Sequence, residues 1–230
     1  MNLTNTLAFL VFPYLALTTF VVGHAYRYIA DPFSWNASSS EFLEKQILYP
    51  GITIFHWGIL LTLIGHAGGL LIPQSIYDMV GIDGQAHSRI AYWSGLAAGA
   101  AAFVGSILLL WRRVTVTRIR VTTTINDYVT LTGLVFVTGA GLSNVVSSHY
   151  YLLDTIAPWI RGIVFFRPNP ELMLEVPLSY KIHILSALAL LGFSPFSRLV
   201  HIWSAPFTYL LRRYIVFRRR VSEASSPYAD

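Results

Sequence analysis

Residues 46–77 read QILYPGITIFHWGILLTLIGHAGGLLIPQSIY and contain no Asp, Glu, Lys or Arg. A helix needs about 20 mostly apolar residues to cross the hydrocarbon core of a bilayer, so this stretch predicts a membrane-spanning helix. It also carries two histidines, His56 and His66. An imidazole at membrane depth is costly unless it has a partner, which makes each of them a functional candidate.

The same reading extends along the chain. Residues 1–26, 90–111 and 128–153 are equally free of charged side chains, and a fifth stretch runs over residues 182–197, pauses at Arg198 and resumes to Leu211. Only 12% of the 230 residues are charged, about half the proportion of a soluble domain. The predicted fold is all-α, a bundle of five transmembrane helices over residues 1–221 with a short disordered tail at 222–230. No basic region precedes Phe9, so the first segment is read as a retained helix rather than a cleaved signal. The longest outer loop, residues 154–179, is expected to hold a short interfacial helix and no catalytic motif.

Basic residues orient the bundle. Arg27, Lys45, Arg112, Arg113, Arg118, Arg120, Arg198, Arg212, Arg213 and Arg218–Arg220 fall on one side of a five-span arrangement, and only Arg89, Arg161, Arg167 and Lys181 on the other. The positive-inside rule then puts the N-terminus outside and the C-terminus in the cytoplasm, as in a multi-pass protein of the cytoplasmic membrane. The basic side suits either anionic lipid headgroups or an inner protein partner.

Depth pairs the histidines. The second span runs outward and the fifth inward, so His66 lies level with His183, and His56 with His201. The two intervals differ: about 15 Å from His56 to His66 and about 27 Å from His183 to His201 at helical rise. Haem tilt, helix tilt or a break near Pro195 would absorb the difference, since an interior proline kinks a helix. In a regular helix His183 and His201 would share a face. His24, His87 and His149 fall at span ends or in outer loops, where interfacial hydrogen bonding accounts for them.

Four histidines paired in this way predict two haems held by bis-histidine ligation. Iron with two axial imidazoles has no open position, so such haems carry electrons and do not bind oxygen. Gly58, Gly65, Gly68 and Gly69 surround the histidines of the second span and would permit close approach of a flat macrocycle, although small residues also serve simply to pack transmembrane helices. Cysteine is absent, which excludes disulfides and cysteine-held iron–sulfur clusters within this chain.

Several blocks resemble the gamma subunit of respiratory nitrate reductase, a membrane cytochrome b. They are Phe55-His56-Trp57-Gly58-Ile59-Leu60, Gly65-His66-Ala67-Gly68-Gly69, Arg120-Val121-Thr122-Thr123-Thr124 and the long block from Pro195 to Pro206, PFSRLVHIWSAP. The resemblance runs from the first helix through Arg213. It implies two haems b, a distal one on His66 and His183 and a proximal one on His56 and His201. It implies oxidation of quinol, such as menaquinol, near the distal haem. Electrons would then pass to a cytoplasmic iron–sulfur beta subunit and a molybdenum-containing alpha subunit that reduces nitrate.

The resemblance also implies further site residues. Arg112 and Arg113 match a basic pair, and Arg112 is the candidate for a haem propionate. Gly65 and Gly69 would line the quinol pocket. The family typically has a lysine on the outer loop before the third helix, and the matching position here is Ala86, followed by His87, Ser88 and Arg89. His87 is the first candidate to take the quinol hydroxyl, and Arg89 the second. Lys181 is a further outer candidate, equally explained by snorkelling to headgroups.

Other readings stay open on sequence. A related di-haem cytochrome could serve a nitrite oxidoreductase or a sulfite-reduction-linked complex. A proton-coupled transporter would need carboxylates within the spans, and none lies at mid-depth. A structural anchor without haem has no need of four histidines paired by depth.

Overall fold

The computed structural model describes residues 3–31, 41–147 and 150–203. His149, the basic residues from Arg212 onward and the tail 222–230 lie outside the described residues. Five helices are long and apolar enough to cross a membrane: α1 (Leu3–Ala30), α2 (Leu48–Leu71), α4 (Gly84–Thr115), α6 (Ile125–Ser147) and a fifth running Leu178–Phe196. The regular part of the fifth, Leu178–Phe193, is α8. Short helices α3 (Gln74–Met79), α5 (Thr117–Thr122) and α7 (Ile156–Val164) lie between them. No strand occurs among the described residues.

The spans stand in a file. α2 packs on α4, α4 on α6, α6 on α8 and α8 on α1. The closest seam is α2 against α4, and glycine makes it possible. A Cβ on Gly58 would fall 2.3 Å from the backbone nitrogen of Ala102, and one on Gly105 would fall 2.5 Å from that of Phe55. Gly58 therefore serves helix packing, not the histidine face expected for it. Elsewhere the spans turn apolar side chains outward. Leu60, Leu61, Leu63 and Ile64 on α2 are each at least 50% exposed. Such a surface is stable where lipid covers it.

The outer loop is more structured than expected. α7 is buried along Ile156, Ala157, Trp159 and Ile163, and clusters with Phe9, Met173, Val176 and Tyr180. The Trp159 indole donates to the carbonyl of Phe9 at 2.9 Å. That carbonyl lies in a π-helical turn, Leu7–Val11, where the Phe12 amide reaches back to Leu7. The Arg161 guanidinium donates to the carbonyl of Leu70 at 3.0 Å, and Lys181 Nζ to that of Leu174 at 3.0 Å. The segment is a lid fastened to α1, α2 and α8 rather than a helix floating at the interface.

The break at Pro195 ends α8 outright. A 3-10 turn at Ser194–Phe196 follows, then extended backbone at Ser197 and a second 3-10 turn at Arg198–Ile202. Serine hydroxyls replace the lost ladder. Ser194 Oγ donates to the Leu191 carbonyl at 2.7 Å, and Ser197 Oγ accepts from the Leu199 amide at 3.2 Å. His183 and His201 thus lie on separate elements, so the regular helix on which a shared face depended is not present.

Candidate functional site

On α2, His56 Nδ1 donates to the carbonyl of Ile52 at 2.8 Å, and His66 Nδ1 to that of Thr62 at 2.7 Å. Across the bundle His183 Nδ1 donates to the Val137 carbonyl at 3.1 Å, and His201 Nδ1 to the Arg198 carbonyl at 2.6 Å. A carbonyl can only accept, so all four rings carry hydrogen on Nδ1, and each in its neutral form keeps a lone pair on Nε2. This tautomer, fixed through the non-ligating nitrogen, is what a metal-binding imidazole needs.

The rings meet as depth pairs them. His66 and His183 stand with ring centres 6.2 Å apart, and His56 and His201 with ring centres 6.0 Å apart. Imidazole nitrogens each about 2 Å from one metal ion give a separation of this size. Among the described residues no group of three or more His, Cys, Asp or Glu converges to hold a metal. Each pair offers two ligands, the number that axial ligation of a haem requires. α8 packs on α1 and α6 while α2 packs on α4; α2 meets α8 across His66 and His183, and meets the turn after α8 across His56 and His201.

Glycines shape this space unequally. A Cβ on Gly141 of α6 would fall 2.8 Å from His183 Cε1, so only glycine lets that ring lie flat against α6. A Cβ on Gly65 would meet nothing within 4 Å, which leaves open room directly beside His66. The donor set, two imidazoles at each level held through Nδ1, fits haem.

At the end of the bundle where α4 begins, Asp83 caps that helix and accepts from the Ala86 amide at 2.7 Å. The helix therefore starts at Gly84, and residues 86–89 lie in its first turns instead of a loop. His87 is buried, 7% exposed. Its Nδ1 lies 2.7 Å from Gln74 Oε1, its ring centre 4.4 Å from that of Tyr77, and its Nε2 3.5 Å from the point a Cβ on Gly69 would occupy. Arg89 points elsewhere. Two residues on, about 200° round the helix, it joins Ala86, Ile90 and Trp93 along a shallow, open depression on the surface. His87 and Gly69 come together; Arg89 does not join them.

Arg112 and Arg113 are both tied up in ion pairs. Arg112, 2% exposed, donates from Nε to Glu44 Oε2 at 2.6 Å and from a terminal nitrogen to the Glu44 carbonyl at 2.6 Å. Glu44 also accepts from the amides of Ile47 and Leu48 at 2.7 and 3.3 Å, ahead of α2. Partial burial raises the Glu44 carboxyl, but the Ile47 amide and the Arg112 guanidinium outweigh it and hold it below the usual carboxylate range. Asp127, 3% exposed, binds the Arg198 guanidinium through both oxygens and the Arg113 guanidinium at 3.3 Å.

Gln74, Tyr77, Gly141, Glu44 and Asp127 have no distinguishing mark in the sequence. Each gains its place from a neighbour more than two residues away. The only hint is the unbroken run of apolar and small residues around Gly141, which admits many readings.

Comparison with known proteins agrees with these features. A family model described as nitrate reductase gamma subunit matches residues 5–220. A nitrate reductase gamma chain from Bacillus subtilis is 43% identical over 214 residues, covering 91% of this chain and 96% of the relative. The respiratory nitrate reductase 2 gamma chain of Escherichia coli is 34% identical over 221 residues, covering 94% and 97%. A nitrate reductase-like protein NarX from Mycobacterium tuberculosis is 39% identical over 225 residues, covering 95% of this chain and 34% of the relative.

Proposed function

The chain belongs to the nitrate reductase gamma subunit family, and from that premise we propose that it is the quinol-oxidising membrane subunit of a respiratory nitrate reductase. It is a multi-pass membrane protein. In this reading it sits in the cytoplasmic membrane with its N-terminus outside and its C-terminus inside. It passes electrons to a cytoplasmic iron–sulfur subunit that serves a molybdenum nitrate-reducing subunit.

The observation that carries the reading is the pair of imidazole pairs, with ring centres 6.0 and 6.2 Å apart and every Nδ1 bonded to a carbonyl. His66 and His183 would hold the distal haem b, and His56 and His201 the proximal one. Bound haem supplies reversible one-electron chemistry at iron without an open coordination position.

The protein's own part is to bind quinol, take its protons and keep electron flow inward. Quinol gives up two protons and two electrons in becoming quinone. We assign the quinol site to the open room beside Gly65 and the adjacent Gly69, with His87 as the group that receives a hydroxyl proton. Arg89, round the helix along its own surface depression, is the second candidate. Release of these protons outward, with electrons leaving inward, separates charge. Arg112 stays a proposed propionate partner, and a propionate there would share the guanidinium with Glu44.

The test is a dithionite-reduced minus oxidised spectrum of the complex, with haem counted per gamma chain. The expected result is two b-type haems, both reducible by a menaquinol analogue. Absence of haem would refute the proposal.

A further inference from the structure

We propose that Gln74 is a positioning residue that locks the tautomer of His87 and aims its proton-accepting nitrogen at the Gly69 side of the site. This rests on the reading of His87 as the acceptor of the quinol proton.

The Gln74 amide has its orientation decided by its neighbours. Gln74 Nε2 donates to Asp78 Oδ1 at 2.9 Å and to the Ile82 carbonyl at 2.9 Å. Both of those partners can only accept, so both amide hydrogens are committed. The side that remains is Oε1, which faces His87 Nδ1 at 2.7 Å. An amide oxygen can only accept, so a neutral His87 must carry its hydrogen on Nδ1. Its Nε2 then has the lone pair, and Nε2 is the atom beside Gly69. Had the amide turned over, its NH₂ would face Nδ1 and the hydrogen would move to Nε2, where it would block proton acceptance.

The local backbone exists to present that second acceptor. The Gly81 amide bonds to the Asp78 carbonyl at 3.1 Å and the Ile82 amide to the Tyr77 carbonyl at 2.9 Å. Gly81 itself has φ +80°, a conformation that glycine adopts without strain. This turn curls the chain back so that the Ile82 carbonyl meets the Gln74 side chain. The hydrogen-bonded row runs from the turn through Gln74 to His87, and His87 Nε2 makes no hydrogen bond within the described protein. A quinol hydroxyl placed there donates to Nε2. When the proton transfers, the O–H bond breaks, an N–H bond forms and the imidazolium keeps its Nδ1–H on Gln74.

The assembled complex tests this with three variants, His87→Ala, Gln74→Leu and the pair Gln74→Glu with Asp78→Asn. The paired change keeps an acceptor toward Nδ1 and lets residue 78 donate to residue 74, while the Ile82 carbonyl loses its side-chain donor. The readouts are menaquinol-analogue oxidation resolved into kcat and KM, nitrate reduction driven by an artificial reductant that bypasses quinol, haem per chain, and ¹⁵N NMR of labelled histidine with the His87 signals assigned by their loss in His87→Ala. We expect Gln74→Leu to lower kcat about tenfold, the scale of one misdirected hydrogen-bonding group, with haem content and bypass activity unchanged. Its His87 nitrogens should show a mixture of tautomers. The paired change should restore the Nδ1–H signature and raise turnover above that of Gln74→Leu, short of the parent because the Ile82 carbonyl has lost its donor. Parental turnover and a single tautomer in Gln74→Leu overturn the proposal, and so does a paired variant that regains the single Nδ1–H tautomer and is still as slow as Gln74→Leu. If Gln74→Leu fails to assemble, the paired variant alone decides. Parental turnover in His87→Ala instead removes the underlying reading of His87, whatever Gln74 does.

Discussion

The imidazoles of His66 and His183 face one another with ring centres 6.2 Å apart across two helices that pack on other neighbours. Each ring is held through Nδ1 by a carbonyl, one on its own helix and one on α6. The two pairs are independent in this respect, because His56 and His201 are fixed by Ile52 and Arg198. His66→Ala is therefore expected to remove one haem and abolish quinol oxidation while the His56 and His201 pair keeps the other. His201→Ala is expected to remove the second haem and leave the first reducible by quinol. Haem counted per chain, with difference spectra after quinol addition, checks both. Retention of two haems in either variant would contradict the ligand assignment.

Asp127 holds the His56 and His201 pair at one remove. It binds the Arg198 guanidinium, and the Arg198 carbonyl fixes His201 Nδ1. Removing one partner of a buried ion pair costs about 3–5 kcal/mol because the other charge is left uncompensated. Arg198 is a third exposed and Arg113 nearly buried, which places Asp127→Ala toward the lower end of that range. The expected result is a lower unfolding midpoint together with loss or weakening of the haem at His56 and His201, while the His66 and His183 haem persists. Equal loss of both haems would show that Asp127 supports the fold alone.

What sequence shows here and what it hides have a common physical cause. Span positions and the depth of His56, His66, His183 and His201 depend on charge-free length and helical rise, which are one-dimensional, so residue order alone makes the pairing legible. The resetting of the chain after Pro195 is half legible. Proline announces a break, but the serine-capped turns that carry His201 depend on Ser194 and Ser197 finding backbone partners. Gly58 and Gly65 look alike in sequence, yet one abuts Ala102 and the other faces open space. His87 reads as a loop residue because its burial follows from the Asp83 cap and from Gln74, neither of which has a recognisable signature.

Those two glycines give opposite expectations. Gly58→Ala drives a methyl into the backbone of α4, and overpacking of this kind typically costs about 1–3 kcal/mol; here the obstacle is main chain, which favours the upper end. The variant should unfold at lower temperature in detergent. Gly65→Ala meets nothing within 4 Å and replaces a helical glycine, a change worth about 0.5–1 kcal/mol in favour of the helix. It should keep or raise the unfolding midpoint and yet slow quinol oxidation, because the methyl enters the proposed quinol room. A slower Gly65→Ala with intact haem content separates the site from the fold. Unchanged quinol kinetics would take Gly65 out of the site.

The Glu44–Arg112 contact sets an acid limit. Glu44 has an ordinary carboxylate value of 4.5. The Ile47 amide and Arg112 guanidinium hold it lower in the folded protein, although burial works against them. A carboxyl lowered on folding contributes stability that is fully present above its unfolded value and is lost as pH falls through its folded value. The segment 41–47 and the start of α2 should therefore be secure at neutral pH and loosen below pH 4.5. Glu44→Gln removes the charge at every pH. It should lower the unfolding midpoint at pH 7 and flatten the part of the acid-dependent fall that belongs to this group. Thermal unfolding of both proteins between about pH 3 and 7 checks this. Parallel curves over that range would mean that the fall comes from other carboxylates.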